Sequence, residues 1–147
     1  LELSSGFKPD LSGLENIYLK LGLQGKTKNE VDEILNEIIE FSELEEFINM
    51  PLKNYSSGMK SKLGFAIVSA VEPDILILDE VFAAGDKKFR DKSRQRIKNL
   101  YENTTTILVS HNMKLIEEIA DRVIILKKGQ IVFEGSPVDG SAFYNNM

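Results

Sequence analysis

The chain has 147 residues, 42% hydrophobic and 28% charged, a composition that excludes a disordered or collagen-like chain. It has no cysteine and one histidine, which excludes disulfides, thiol chemistry and a histidine cluster for a transition metal. Its 18 bases against 23 acids give a net charge of −5, which speaks against nucleic-acid binding over a broad surface, and no apolar run reaches the ~18 residues of a spanning helix.

The chain opens on Leu1-Glu2-Leu3-Ser4, with neither an initiator Met nor a signal-peptide pattern, so its length reads as that of a fragment. A first helix is signalled by the capping box Ser12-Gly13-Leu14-Glu15, followed by Leu14, Ile17, Leu19 and Leu21, with Gly22 and Gly25 as breaks. A second capping box, Thr27-Lys28-Asn29-Glu30, opens a stronger helix. Val31, Ile34, Leu35, Ile38 and Ile39 fall at i, i+3, i+4, i+7 and i+8, one continuous apolar stripe. A shorter helical segment is expected from Ser42 to Ile48, ending before Pro51. Between Glu30 and Glu46 lie eight carboxylates and no Lys or Arg. They read either as a solvated polar face or as a docking face for a basic partner element. Without them the remaining chain is mildly basic.

From Tyr55 the character changes. Tyr55-Ser56-Ser57-Gly58 is a turn into a long helix carrying Met59, Leu63, Ala66, Ile67 and Ala70, stopped by Pro73-Asp74. Ile75-Leu76-Ile77-Leu78 is short, apolar and rich in β-branched residues, and reads as a strand buried on both faces in a parallel sheet. Phe89, Ile97 and Leu100 mark a helix, Thr104 to Val109 a strand, Met113 to Ala120 a helix and Arg122 to Leu126 a third strand. A turn at 127–130 leads into a short strand from Ile131 to Phe133. Strand–helix alternation after residue 72 predicts an α/β sheet.

Chemistry concentrates where apolar strands end and helices begin. Asp79-Glu80 closes the first strand, at the end of a parallel sheet where ligands bind. Adjacent acids point to opposite sides of the chain, so one can reach a Mg²⁺ and the other an attacking water. The alternative is that the strand has simply reached solvent. Ser56-Ser57-Gly58-Met59 exposes backbone N–H groups at the positive end of a helix, an anion site or no more than an N-cap. His111 follows the second strand and Ser110, again at a strand end, and reads as a surface residue or as a third participant. Gly25-Lys26-Thr27 imitates the end of a G-x-x-x-x-G-K-[ST] phosphate loop, but Lys20 stands where its first glycine belongs and no strand precedes it.

In order, these features resemble the later part of an ABC-transporter ATPase domain. Tyr55 to Met59 resembles the signature loop, Ile75 to Asp79 the Walker B strand and Glu80 the catalytic glutamate. Ala83-Ala84-Gly85-Asp86 resembles the D-loop and Ser110-His111 the switch histidine. The opening segment Gly6 to Tyr18, the run Tyr55 to Phe65 and Asp79 to Asp86 resemble ATPase subunits that export polysaccharides, O-antigen or teichoic acid. The resemblance implies an α/β fold, a partial P-loop NTPase (RecA-like) core with a parallel sheet plus a helical subdomain. Residues 12–71 would hold the helical subdomain and signature helix, and 72–147 the carboxyl-terminal half of the core.

It also implies ATP and Mg²⁺, with Asp79 on the metal, Glu80 on the attacking water and His111 on the γ-phosphate. Ser56, Ser57, Gly58, Met59 and Asp86 would contact nucleotide. The implied partners are a second ATPase subunit, head to tail, and an integral membrane permease, at the cytoplasmic face of a bacterial membrane and without nucleic acid. An ATPase of the same type outside transport, or a non-catalytic module on the same fold, are the competing readings. Three departures stand out. Ser57 and Met59 replace a glycine and the glutamine of L-S-G-G-Q, no glutamine stands near Glu2 or Leu3 where the family has its Gln-bearing loop, and no Walker A loop occurs in the chain. The chain alone is therefore expected to be inactive.

Overall fold

The computed structural model describes residues 6–71, 73–79, 86–101 and 104–147, apart from the side chains of Asp79 and Tyr101. The chain divides into two compact units, unit 1 comprising residues 1–76 and 81–106 and unit 2 residues 77–80 and 107–147.

Unit 1 is built on helices whose starts are written in the sequence. α1 (Gly13–Leu23) and α2 (Lys28–Ser42) both begin with complete capping boxes, Ser12 with Glu15 and Thr27 with Glu30. In each, the hydroxyl takes one of the orphan N–H groups of the first turn while the glutamate returns to the cap N–H. α3 (Ser57–Ser69) is capped by Ser56, whose Oγ accepts from the Met59 N–H at 3.1 Å. α4 (Lys87–Tyr101) begins at Asp86, whose Oδ1 accepts from the Phe89 N–H at 2.9 Å.

The stripe of α2 faces inward as the spacing predicts. Val31 and Ile38 are buried with Ile17, Leu21, Leu63 and Ile67, and Ile34, Leu35 and Ile39 pack against them. The opening segment is locked to the strip before α3. The amides of Gly13 and Leu14 donate to the carbonyls of Met50 and Ile48, and Tyr55 Oη donates to Phe47 O at 2.7 Å. A Cβ on Gly13 would stand 2.5 Å from Tyr55 Oη, so only glycine allows this approach.

One expectation for this unit changes. Residues 43–49 are turns rather than a helix. α2 stops because Glu43 takes a left-handed conformation, φ 56°, which a helix cannot continue. A short 3₁₀ turn, Leu52–Asn54, then leads into the Ser56 cap.

The strands β1 (Ile75–Asp79) and β2 (Thr105–Val109) are hydrogen-bonded neighbours in a parallel arrangement. Their connection runs through α4, as a parallel pair requires. β1 was expected to be buried on both faces. Leu76 and Leu78 are buried, but Ile75 and Ile77 are 59% and 54% exposed, because no described element covers that face.

In unit 2, α5 (Met113–Ile119) is capped by Asn112, and β3 (Val123–Lys127) pairs antiparallel with β4 (Gln130–Gly135) through a bulge at Ile125/Leu126. Lys128 and Gly129, at φ 50° and 77°, make the two-residue turn between them. α6 (Pro137–Asn145) closes the chain against β3 and β4. Its start, Ser136-Pro137-Val138-Asp139, pairs an N-cap serine with proline at the first helical position.

Candidate functional site

In unit 1 the anion-type feature is the start of α3. Ser56 and Ser57 are exposed, and Gly58 and Met59 half-buried. The Met59 N–H is taken by Ser56 Oγ and the Lys60 N–H by the Ser56 carbonyl. The amides of Ser57 and Gly58 therefore remain as the outward donors of a thirteen-residue helix, at the positive end of its dipole. A Cβ on Gly58 would meet only Ser56 Oγ, at 3.8 Å, so the glycine serves open space above the backbone rather than tight packing.

Asp86 is the second feature of unit 1. Both carboxylate oxygens are engaged: Oδ1 caps α4 and Oδ2 lies 3.2 Å from Lys62 Nζ. The Phe89 amide, and after it Lys62, hold its carboxyl below the ordinary range. Lys62 also donates to Glu43 Oε2 at 2.7 Å, and Glu43 Oε1 stands 3.8 and 3.9 Å from Lys88 and Lys92. That hydrogen bond, with the surrounding lysines, lowers the Glu43 pKa.

Further along α4, Lys92 donates to Phe41 O at 3.1 Å and Arg96 pairs with Glu37 while donating to Ser69 O. Lys88, Lys92 and Arg96 recur every four residues and so form one basic stripe of α4. Part of the acidic run is used within the chain itself. Glu37 and Glu43 meet a basic element of the same chain, whereas Glu33, Glu40, Glu45 and Glu46 are exposed. The stripe also places cations at the C-terminus of α2, whose own last turn has none.

In unit 2 the carboxyl ends of β1 and β2 lie side by side. Asp79 is the last residue of β1, and Ser110 and His111 follow β2 directly. His111 is exposed, and Ser110 Oγ accepts from the Asn112 N–H at 3.1 Å, holding the turn that carries it into α5. Glu80 and residues 81–85 lie outside the described residues, as do Glu2 and Leu3, so the structure places Asp79 by its backbone only. Among the described residues no cluster of three or more acids or histidines could hold a metal by itself.

Sequence reasoning did not single out Lys62 or the ring cluster beneath it. Phe41, Phe65 and Phe89 stack and cross at centroid distances of 5.7 to 6.0 Å. The available signal was the pair Lys60 and Lys62 in the first half of a helix that is otherwise apolar or small.

Comparison with solved structures identifies the architecture. The "Structure of ATP binding subunit of ABC transporter" superposes with a TM-score of 0.78 at 21% identity, covering 95% of this chain and 58% of that one. A dimeric ATP-binding cassette in a post-hydrolysis state, bound to ADP and Pi, gives 0.70 at 26% identity, covering 93% and 61%. The fold is that of a partial P-loop NTPase core with appended helices.

The ABC transporter family model matches residues 2–83, and the chain belongs to that family. Among curated relatives, an O-antigen export system ATP-binding protein, RfbB of Klebsiella pneumoniae, is 52% identical over 92% of this chain and 56% of its own length. The teichoic acids export ATP-binding protein TagH of Lactococcus lactis is 48% identical over 91% of this chain and 29% of its own. The chain spans about half, or less, of the length of these relatives.

Proposed function

We propose that this chain is the signature-to-switch portion of an ATPase that powers export of a polysaccharide, O-antigen or teichoic-acid type of cargo. The observation that carries the proposal is the serine-capped, glycine-bearing start of α3, within a chain 52% identical to an O-antigen export ATP-binding protein. In this reading residues 12–71 form the helical subdomain with the signature helix, and 72–147 the carboxyl-terminal half of the α/β core.

Phosphoryl transfer needs little covalent help from a protein and much positioning and charge neutralisation. The amides of Ser57 and Gly58, with Ser56 and Met59 shaping the helix start, would receive phosphate oxygens of a nucleotide held by a second subunit. Met59 cannot donate the hydrogen bond that a glutamine side chain could, so recognition there rests on the backbone. Asp79 would hold Mg²⁺. A single carboxylate at a strand end suits that ion, which is usually held by one or two carboxylates together with substrate phosphates. When bound, Mg²⁺ neutralises charge between the phosphates. Glu80 would orient and polarise the attacking water, and His111, at the end of the neighbouring strand, would steady the γ-phosphate. Asp86 joins this set through Lys62.

A helix start that reaches a nucleotide on another subunit makes ATP a requirement for the head-to-tail pair to close. Closure would act on an integral membrane permease at the cytoplasmic face of the bacterial membrane. In this reading the membrane step belongs to that partner; no described helix of this chain is long and apolar enough to cross a membrane. Nucleic acid has no part in the reading. This chain carries no G-x-x-x-x-G-K-[ST] loop, and by itself it is expected to bind ATP weakly or not at all; tight binding in titration calorimetry would overturn that.

The decisive test is Glu80→Gln in the full-length protein. Turnover should fall by at least about a hundredfold while ATP-dependent dimers accumulate, measured by phosphate release and by size-exclusion chromatography with light scattering. Unchanged hydrolysis would remove Glu80 from the mechanism.

A further inference from the structure

Three helix ends of unit 1 meet at one ammonium group. Lys62 lies in the second turn of α3, with its side chain only 16% exposed, and its Nζ is 2.7 Å from Glu43 at the end of α2 and 3.2 Å from Asp86 at the start of α4. Beneath it the Phe89 ring lies 5.1 Å away, so the cation is held by two carboxylates and an aromatic face. Burial alone would push the Lys62 pKa down, but Glu43, with Asp86, outweighs it and leaves the group above the ordinary value.

Glu43 supports the same point independently. A non-glycine residue in the left-handed region is strained, and here its carboxylate is turned toward Lys62, Lys88 and Lys92. Asp86, for its part, sets one carboxylate oxygen on the Phe89 amide and the other against Lys62.

We propose that Lys62 is a positioning residue that fixes the phosphate-facing start of α3 to the Asp86 cap of α4, with Glu43 as its third anchor. This inference rests on the ATPase reading above. The chain between Asp79 and Asp86 carries Glu80, and Asp86 is where that segment enters α4. Tying Asp86 to the signature helix lets the starts of α3 and α4 keep one registration when a nucleotide arrives. Asp86 then acts at least in part through Lys62. Misplacement of about an ångström in such a device costs up to ~100-fold in rate without removing a reacting group.

The test is a double-mutant cycle in the full-length protein with Lys62→Met, Asp86→Asn and their combination, with Lys62→Arg as rescue. Asparagine still caps a helix, so Asp86→Asn removes the charge and keeps α4 capped. Lys62→Met should lower kcat about tenfold while KM for ATP moves by less than about threefold. Asp86→Asn should do the same, the double variant should be no worse than either, and Lys62→Arg should recover at least about half of the activity.

Losses that multiply in the double variant, or a rise in KM at unchanged kcat, would overturn the proposal. So would a fall in kcat matched by an equal fall in the folded fraction, read by urea melting under the assay conditions. The urea melts also separate the two readings. Coupling between Lys62 and Asp86 in stability, with a wild-type protein that hydrolyses no ATP, would sink the ATPase reading and leave the ion bridge standing. Absence of coupling in an active wild-type enzyme would sink the positioning role alone.

Discussion

The helical core of unit 1 and the strand-and-helix core of unit 2 use the same apolar residue types but withdraw them from water to different degrees. In unit 1, Ile17, Leu21, Ile38, Leu63 and Ile67 are inaccessible, and partly buried neighbours surround them. Among the described residues of unit 2, Leu78 of β1 is fully buried, but the cluster of α5 and β3, Ile116, Val123 and Ile125, is still touched by solvent at every member. Beside them runs a cleft of about 310 Å³ lined by Leu108, Met113, Ile116, Val123, Ile125 and Tyr144. Helices that cap themselves and interlock through an apolar stripe complete their own core. Strands of an α/β sheet are covered only by what lies above, below and beside them, and Ile124 and Leu126 of β3 remain open to water.

The largest expected effect tests this difference directly. Leu63→Ala in unit 1 removes a side chain with no route for solvent or collapse, and should cost about 3–5 kcal/mol of unfolding free energy. Ile125→Ala borders the open cleft and should stay nearer ~2 kcal/mol, because part of its cavity is already open. Urea denaturation of the two variants measures both. Equal losses would mean that the two cores are equally closed.

A second pair of residues sharpens what locks unit 1. Asn16 is fully buried in α1, with Oδ1 accepting from Lys8 N at 2.8 Å and Nδ2 within reach of the carbonyls of Lys8, Leu11 and Ser12. Asn16→Leu leaves those groups unpaired and should cost roughly 2–3 kcal/mol. Gly13→Ala forces a methyl group toward Tyr55 Oη and should cost about 1–3 kcal/mol, less if the Tyr55 bond to Phe47 O gives way first. Hydrogen exchange at the Leu14 amide separates the two, since only the second disturbs the contact with residues 47–55 directly.

What the sequence made legible follows the range of each interaction. The capping boxes at Ser12 and Thr27 need only residues three apart, and both are present as read. The strands and α5 came from local apolar runs. Glu43 ends α2 in a left-handed conformation that no glycine announces, and the separate short helix expected from Ser42 to Ile48 is absent. The apolar pattern of α6 is too weak to announce a helix, although Ser136-Pro137 marks its start. In the candidate site, the start of α3 and the strand-end positions of Asp79 and His111 could be read from local pattern. The bridge from Lys62 to Glu43 and Asp86 could not, since its three charges come from separate helices and meet only after the helices pack. The same holds for the basic stripe of α4, whose spacing was visible but whose acidic partners Glu37 and Glu43 were not.

The smallest expected effect concerns acid. Glu43 is held below its ordinary value first by the Lys62 hydrogen bond, and Asp86 first by the Phe89 amide. A carboxyl whose folded pKa is depressed contributes stability that is complete above its unfolded value, about 4.3 for Glu and 3.9 for Asp, and that is lost as pH falls through the folded pKa. Unit 1 should therefore weaken progressively as pH drops below about 5, with faster amide exchange first at the ends of α2 and the start of α4. In the variant Glu43→Gln with Asp86→Asn this part of the acid dependence should disappear, at the cost of lower stability near neutral pH. Exposed carboxylates are screened by solvent, and Asp86 is one of them, so the Glu43 substitution should account for most of the change. An acid limb unchanged by the double variant would show that the three helix ends are held by apolar packing around Phe41, Phe65 and Phe89 rather than by charge.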